Sequence, residues 1–198
     1  MLWDDERQQI LDYCGSGHII INAGAGTGKT TLLCFIAKKL IETNIISSPD
    51  NLLFCSYTNV ATNNIRERCI KDNLIPEQFL SSISTMDSFA RKQLKVHHEQ
   101  ELDERQNEFT RIICLFTDLI DQLQCLDTLK YIIVDEVQDI DRYRWELIKC
   151  LSKRGVKFII VGDVRQRIFE KNSIFYYFMT KDTIYNQPIK CFSLTRTM

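Results

Sequence analysis

Residues 18–31 read His-Ile-Ile-Ile-Asn-Ala-Gly-Ala-Gly-Thr-Gly-Lys-Thr-Thr, an apolar run followed by a glycine-rich turn. The apolar run predicts a buried strand. Gly24, Gly26 and Gly28 permit backbone angles that bring amide N–H groups close to phosphate oxygens, and a helix that begins after the turn adds the positive end of its dipole. The pattern therefore predicts a loop that binds the phosphates of a nucleoside triphosphate.

The end of this turn carries the two side chains that such a loop needs. Lys29 is expected to reach the β- and γ-phosphates, and Thr30 to bind Mg²⁺. The usual template has glycine five residues before Gly28, where this chain has Ala23. The residues expected to contact the nucleotide are Ala23, Gly24, Ala25, Gly26, Thr27, Gly28, Lys29, Thr30 and Thr31.

Two carboxylates follow another apolar run, at residues 131–134. Parallel α/β sheets bind ligands at the carboxyl ends of their strands, so Asp135 and Glu136 are expected at the same edge as the loop. Asp135 is predicted to join the Mg²⁺ shell. Glu136 is predicted to orient and deprotonate the attacking water.

A third apolar run, at residues 158–161, leads into Gly-Asp-Val-Arg-Gln. Gln166 follows closely enough to reach the γ-phosphate from a neighbouring strand end. The first strand end supplies Lys and Thr, the second Asp and Glu, and the third Gln. Together they indicate a nucleotide site far more specifically than any one of them does.

The order of elements predicts an α/β fold. Apolar runs at 19–22, 52–56, 82–85, 131–134, 158–161 and 191–194 are typical of buried parallel strands, and helical patterns occupy 30–42, 60–71 and 143–152. This alternation predicts a central parallel sheet covered on both faces. Residues 91–128 interrupt it and predict a short helical insertion, which divides the remaining domain into residues 1–90 and 129–198.

Composition limits the remaining classes. The 198 residues carry a net charge of −1, so any nucleic-acid contact has to come from a local surface. Eight cysteines stand singly, mostly inside apolar segments and without a Cys-x-x-Cys pair, and predict buried free thiols. No run of about 18 apolar residues suits a membrane span. We expect a soluble intracellular protein, cytoplasmic or nuclear, with no membrane partner.

The chain resembles the N-terminal RecA-like domain of superfamily 1A DNA helicases of the UvrD/Rep/PcrA type. That family writes its phosphate loop as Ala-x-x-Gly-x-Gly-Lys-Thr, which matches residues 23–30 and accounts for Ala23. Residues 135–139 are similar to its Asp-Glu-x-Gln-Asp box, and residues 162–166 to its Gly-Asp-x-x-Gln box. The resemblance implies a three-layer RecA-like P-loop NTPase fold, ATP and Mg²⁺ as cofactors, and residues 91–128 as a reduced form of the family's 1B subdomain.

The resemblance also implies contacts with single-stranded DNA. Residues 56–59 are similar to the family's Thr-Phe-Thr-Asn segment, and residues 84–89 to its Gly-Thr-x-His-Ser segment, with Asp87 where the family has His. An aromatic ring with hydroxyl and amide groups suits stacking and phosphate contact without sequence readout. The implied DNA-binding residues are Tyr57, Thr58, Asn59, Thr85 and Ser88.

The two ends of the chain resemble further family elements. Residues 2–9 are similar to an adenine-reading segment; strict spacing puts Glu6 at its glutamine position, and Gln8 or Gln9 takes that role after a shift. Residues 193–197 are similar to an Asn-Tyr-Arg-Ser element, which makes Arg196 a candidate γ-phosphate ligand. The implied catalytic set is Lys29, Asp135, Glu136, Gln166 and Arg196.

The sequence departs from the family in two places. Residues 168–174 lack the aromatic and arginine that the family has after its third box. The sequence also ends before a second RecA-like domain, which in this family supplies an arginine finger. We therefore expect weak ATPase activity alone, and a second RecA-like domain or helicase chain as partner. The alternative is a non-motor ATP-binding module that docks onto or regulates a full-length helicase.

Overall fold

The computed structural model describes residues 4–97, 108–165, 180, 183–185 and 187–195, with no account of the side chains at 95–97 and 108–109. Within these ranges the strands are β1 (His18–Ala23), β2 (Leu52–Cys55), β3 (Tyr131–Val134), β4 (Lys157–Gly162), β5 (Thr183–Ile184) and β6 (Gln187–Leu194). The helices are α1 (Asp5–Tyr13), α2 (Lys29–Glu42), α3 (Asn59–Lys71), α4 (Met86–His97), α5 (Glu108–Asp118) and α6 (Arg142–Lys153).

The strands form one six-stranded sheet in the order β2-β3-β4-β1-β6-β5. β1 lies between β4 and β6 and is parallel to both, with Ile20 opposite Ile160 and Cys191. Among the described strands, the short β5 alone pairs antiparallel, with β6. The carboxyl ends of β1, β3 and β4 consequently meet at one edge, as expected of a parallel sheet with a ligand site there.

Apolar side chains on both faces of the sheet create two separate cores. Ile19 and Ile21 point to the core that α1, α2 and α3 cover, whereas Ile20 points to the core that α4, α5 and α6 cover. Leu33 and Trp145, both fully buried, belong to these two opposite layers. The three-layer α/β arrangement predicted from the sequence is confirmed.

The region predicted as a helical insertion contains α5 and most of α4, which begins at Met86 rather than at residue 91. Ile113 and Phe116 of α5 pack in the same core as Ile132 of β3. The described part of this region therefore covers one face of the sheet. Its assignment as a separate subdomain stays a prediction.

The strand predicted at residues 82–85 is wrong. Only Ile83 forms a single parallel bridge, with Phe54, because Glu77–Ser82 is a 3₁₀ helix and α4 begins at Met86. The prediction of free thiols holds, but the prediction that they are buried holds for Cys34, Cys55 and Cys69 alone. Cys191 is exposed, and the other four are partly buried. No helix in the described ranges has the length and apolar character needed to cross a membrane.

Candidate functional site

The glycine-rich turn lies between the end of β1 and the start of α2. Gly26 and Gly28 have φ angles of 73° and 74°, a left-handed conformation that side chains rarely adopt. Gly28 is the N-cap of α2, so the first amide groups of that helix open into the turn. Ala25 and Gly26 are exposed, while Lys29 is buried with 8% exposure. The turn thus has the backbone geometry of an anion-binding loop.

Gly24 lies against the flexible end of the Arg165 side chain. A Cβ atom at this position would lie 2.5 Å from the Arg165 Nη2 atom, so a side chain here would displace the guanidinium. The Arg165 backbone N–H donates to the Asp163 carboxylate at 2.9 Å, which holds the residue at the end of β4. Sequence reasoning did not single out Arg165, although it stands beside the predicted Gln166.

A second arginine, Arg7, supports the other side of the loop. Its Nη2 donates to the Thr27 carbonyl at 2.5 Å, and it forms an ion pair with Asp4. The Thr27 hydroxyl donates in turn to the Gly24 carbonyl at 2.8 Å. Arg7 is 3% exposed, so α1 braces the loop through a buried guanidinium. Nothing in the sequence pattern pointed to this role.

Asp135 follows β3 and meets the first turn of α2. The Thr30 hydroxyl donates to Asp135 Oδ2 at 2.5 Å, and the Glu136 N–H donates to Oδ1 at 3.0 Å. Burial raises the pKa of Asp135 to about 6, which the Thr30 hydrogen bond opposes and the charge of Glu136 reinforces. A hydroxyl and a buried carboxylate that face each other are hard oxygen ligands of the kind that Mg²⁺ prefers.

Glu136 is held beside the loop lysine. Its backbone is left-handed, with φ 52° and ψ 49°, an uncommon conformation for a residue with a side chain. Lys29 Nζ lies 3.2 Å from Glu136 Oε2, and Gln138 Nε2 donates to the same oxygen at 2.7 Å. We call Lys29, Thr30, Asp135, Glu136 and Gln138 the nucleotide edge.

Gln138 also joins two strand ends. Its Oε1 accepts the Asp163 backbone N–H at 3.2 Å, and a Cβ at Gly162 would lie 2.7 Å from that same oxygen. The two boxes after β3 and β4 are thereby connected by one buried amide. The predicted γ-phosphate ligands Gln166 and Arg196 lie outside the described residues.

Among the described residues, no hydrogen bond joins the predicted adenine-reading residues to the loop. Gln8 and Gln9 are exposed, and Gln8 donates to Asp12 at 2.8 Å along α1. Glu6 instead accepts the backbone N–H and the hydroxyl of Thr195, at 2.9 and 2.6 Å. Glu6 thus joins α1 to the end of β6, and the role of Gln8 and Gln9 stays a prediction.

The predicted DNA-binding residues all line one open cleft of about 430 Å³. Tyr57 is 44% exposed, and Thr58 caps α3 by accepting the Ala61 N–H at 3.1 Å. The Thr85 hydroxyl donates to Ser88 at 2.9 Å. Asn59 is exposed at the first position of α3. The structure therefore brings Tyr57, Thr58, Asn59, Thr85 and Ser88 together, and we call this surface the cleft.

An ion-pair cluster forms one wall of the cleft. Arg144 donates to both oxygens of Asp87, at 3.1 and 2.5 Å, and also pairs with Asp141. Its guanidinium carbon lies 5.4 Å from the centre of the Tyr57 ring, within range of a cation–π contact. Asp87, which differs from the family's His, is thus the partner of a buried arginine.

A glycine-rich turn on a parallel sheet, with acidic residues at the adjacent strand ends, defines a P-loop NTPase of RecA-like fold. A family model described as an AAA domain matches residues 7–172. The chain belongs to this family. Within it, the chain is of the type found as the N-terminal domain of UvrD/Rep-type superfamily 1 helicases.

Relatives and solved structures agree with this placement. The chain is 31% identical over 99 residues to a probable DNA helicase of Mycoplasma pneumoniae, covering 49% of this chain. It is 33% identical over 120 residues to DNA helicase II of Rickettsia typhi, covering 58% of this chain. The crystal structure of Pif1 helicase from Candida albicans covers all of this chain and 41% of its own, with a TM-score of 0.58 at 16% identity, which shows the fold.

The similar region is a small part of these relatives. The chain spans 18% of the length of each of the two curated helicases.

Proposed function

We propose that the chain is the ATP-binding motor domain of an ATP-dependent DNA helicase or translocase. In this role it binds Mg-ATP at the nucleotide edge and single-stranded DNA in the cleft. The observation that supports the proposal most is the meeting of Thr30 with Asp135, and of Lys29 with Glu136, across 105 and 107 residues of sequence at one edge of the sheet.

Each member of the nucleotide edge has a distinct task in this proposal. The amide groups after Gly28 bind phosphate oxygens, and Lys29 leaves Glu136 to neutralise the β- and γ-phosphates. Thr30 and Asp135 hold Mg²⁺, which when bound offsets phosphate charge. Glu136, released from Lys29, accepts a proton from the attacking water, while Gln138 keeps the carboxylate in place through its 2.7 Å hydrogen bond.

Arg165 is a further candidate for contact with the nucleotide, on the opposite side of the loop. Its guanidinium lies beside Gly24, and its side chain is 78% exposed. A second RecA-like domain or helicase chain is the proposed partner that adds an arginine finger, worth about 10³–10⁵ in rate in related enzymes. The 198 residues alone are accordingly expected to hydrolyse ATP slowly.

The cleft supports the DNA part of the proposal by its chemistry. The exposed Tyr57 ring offers a stacking surface, and the hydroxyls and amide around it offer hydrogen bonds to phosphate and sugar. Its charged lining is balanced, with Asp87 and Asp141 against Arg91 and Arg144. Binding is therefore expected to depend on stacking and hydrogen bonds, and to lack sequence preference.

The test separates nucleotide binding from hydrolysis. Glu136→Gln should keep the affinity for Mg-ATP and lower single-turnover hydrolysis by about 10²–10⁴-fold, because the amide cannot accept the proton from water. Glu146→Gln, a change at an exposed α6 carboxylate paired with Lys149, is the matched control and should hydrolyse like the parent.

Hydrolysis at the parent rate by Glu136→Gln would contradict the assignment of the base. Addition of single-stranded DNA distinguishes the motor from a non-motor ATP-binding module. If single-stranded DNA changes neither nucleotide affinity nor turnover, even when a second RecA-like domain is present, the non-motor ATP-binding module is favoured.

A further inference from the structure

A second cavity adjoins the cleft along α4. It has a volume of about 470 Å³. Residues of α4 line it, together with residues from three other stretches, 49–52, 81–84 and 125–129. Ser88 lines this cavity and the cleft alike. We call the second cavity the serine groove, after Ser81, Ser82, Ser84 and Ser88. One helix face therefore connects the two cavities.

The polar groups of the serine groove suit the acceptor oxygens of a nucleic-acid backbone. Ser88 accepts a hydrogen bond from Thr85, which leaves its own hydroxyl proton available for a ligand. Lys92 lies one turn further along α4, exposed, and forms no ion pair among the described residues. Gln93 adds an amide, and Asp50 is the one carboxylate in the described lining.

The serine groove lacks what the cleft has for binding bases. Its aromatic residue, Phe89, packs edge-on against Phe116, with ring centres 5.9 Å apart, as part of the core. In the cleft, by contrast, the Tyr57 ring is 44% exposed. A ligand in the groove would therefore be held by its sugar–phosphate chain, a contact that positions a strand without reading its sequence.

Two polar side chains of α4 that line the groove, Ser88 and Lys92, lie on one face of the helix. Ser88 and Lys92 are four residues apart, which places them on the same face and about 6 Å apart along the axis. The two side chains are therefore close enough to contact one stretch of sugar–phosphate backbone.

We propose that the serine groove is a second nucleic-acid binding site, which takes the sugar–phosphate backbone of the strand as it leaves the cleft past Ser88. The inference rests on the proposed function, because a strand must occupy the cleft to continue into the groove. Lys92 supplies the charge, and Ser84, Ser88 and Gln93 supply hydrogen bonds. Bases are bound in the cleft and remain unread in the groove.

The test is the length dependence of binding. Fluorescence anisotropy with oligo-dT of about 4 to 16 nucleotides should show affinity that rises until both cavities are filled. Lys92→Glu should weaken the longer oligonucleotides about three- to tenfold and leave the shortest unchanged. Lys92→Ala should lower the slope of log affinity against log salt by about 0.7 for the longer ones only.

Two controls keep the outcomes distinct. Lys38→Glu changes a lysine on α2 that lines neither cavity and should leave the length dependence as in the parent. Tyr57→Ala should weaken oligonucleotides of every length. Equal affinity of Lys92→Glu and the parent at all lengths, or an equal loss at all lengths, would overturn the serine groove while the cleft stands. A parent that binds no oligonucleotide would overturn the proposed DNA binding and this inference together.

Discussion

Asp135 in the nucleotide edge and Asp87 in the cleft are both carboxylates at ligand-facing surfaces, but their surroundings differ. Asp135 is 3% exposed, and its described hydrogen bonds come from a hydroxyl and a backbone amide. Lys29, the nearby cation, instead pairs with Glu136. Asp87 is bound at both oxygens by Arg144, which also pairs with Asp141.

The difference shows two ways of preparing a binding surface. In the described part of the chain, the nucleotide edge keeps a buried carboxylate without a direct cationic partner, so a bound Mg²⁺ would relieve the cost of its burial. The cleft neutralises its carboxylates within the chain and presents an aromatic ring and hydroxyl groups. Removal of a charged side chain should therefore have opposite effects on stability in the two regions.

The largest effect is expected at Arg144. Arg144→Gln leaves Asp87 and Asp141 without their cation in a partly buried site, which should lower the free energy of unfolding by about 3–5 kcal/mol. Urea denaturation measures the loss. Arg142→Gln, which removes an exposed guanidinium stacked on Tyr143 of the same helix, should change stability little. Equal stability of the two variants would contradict the claim that the ion pairs of Arg144 with Asp87 and Asp141 stabilise the cleft.

The opposite sign is expected at Asp135. Because burial raises the pKa of its carboxyl from 3.8 to about 6 in the folded state, ionisation destabilises the fold. This penalty is absent below pH 4, develops between pH 4 and 6, and amounts to about 3 kcal/mol at pH 7. In buffer with EDTA, Asp135→Asn should thus stabilise the protein at pH 7, and less so at pH 4.

Denaturation at several pH values measures this difference. In saturating Mg-ATP the parent should become more stable than Asp135→Asn. Ligand binding stabilises the parent, whereas the amide of the variant is a poorer metal ligand. A stability difference that stays constant from pH 4 to pH 7 would contradict the account of Asp135.

A smaller effect is expected at Tyr57. Tyr57→Ala removes the stacking surface of the cleft and should weaken single-stranded DNA binding by about 1–3 kcal/mol, with nucleotide affinity unchanged. Tyr185→Ala is the matched control, because Tyr185 is 43% exposed and lies outside the cleft. Anisotropy titration measures both. A loss of DNA affinity that is equal in the two variants would contradict the role of Tyr57.

The same contrast explains what could be predicted from the sequence. The loop at residues 23–30 and the pair Asp135 and Glu136 are contiguous segments at strand ends, and parallel strands bring such ends to one edge. The meeting of these segments at one edge was therefore predictable. The three-layer fold followed from alternating apolar runs, although the run at 82–85 was too short to distinguish a strand from a 3₁₀ turn.

The features that sequence reasoning missed depend on side chains far apart in the chain. Arg144 meets Asp87 across 57 residues, and Arg7 meets Thr27 across 20. No periodic pattern marks either pair. Asp87, which departs from the family pattern, was the available signal that a compensating cation lies nearby, because a buried carboxylate needs a partner.

The central claim, that the nucleotide edge binds the phosphates of ATP, is tested most directly at Lys29. Equilibrium titration of a fluorescent ATP analogue with Mg²⁺ should show binding by the parent and a loss of about a hundredfold or more in Lys29→Ala. Lys38→Ala, at a partly buried position of the same helix that pairs with Glu42, should bind like the parent. Equal nucleotide affinity of Lys29→Ala and the parent would contradict the phosphate-loop assignment.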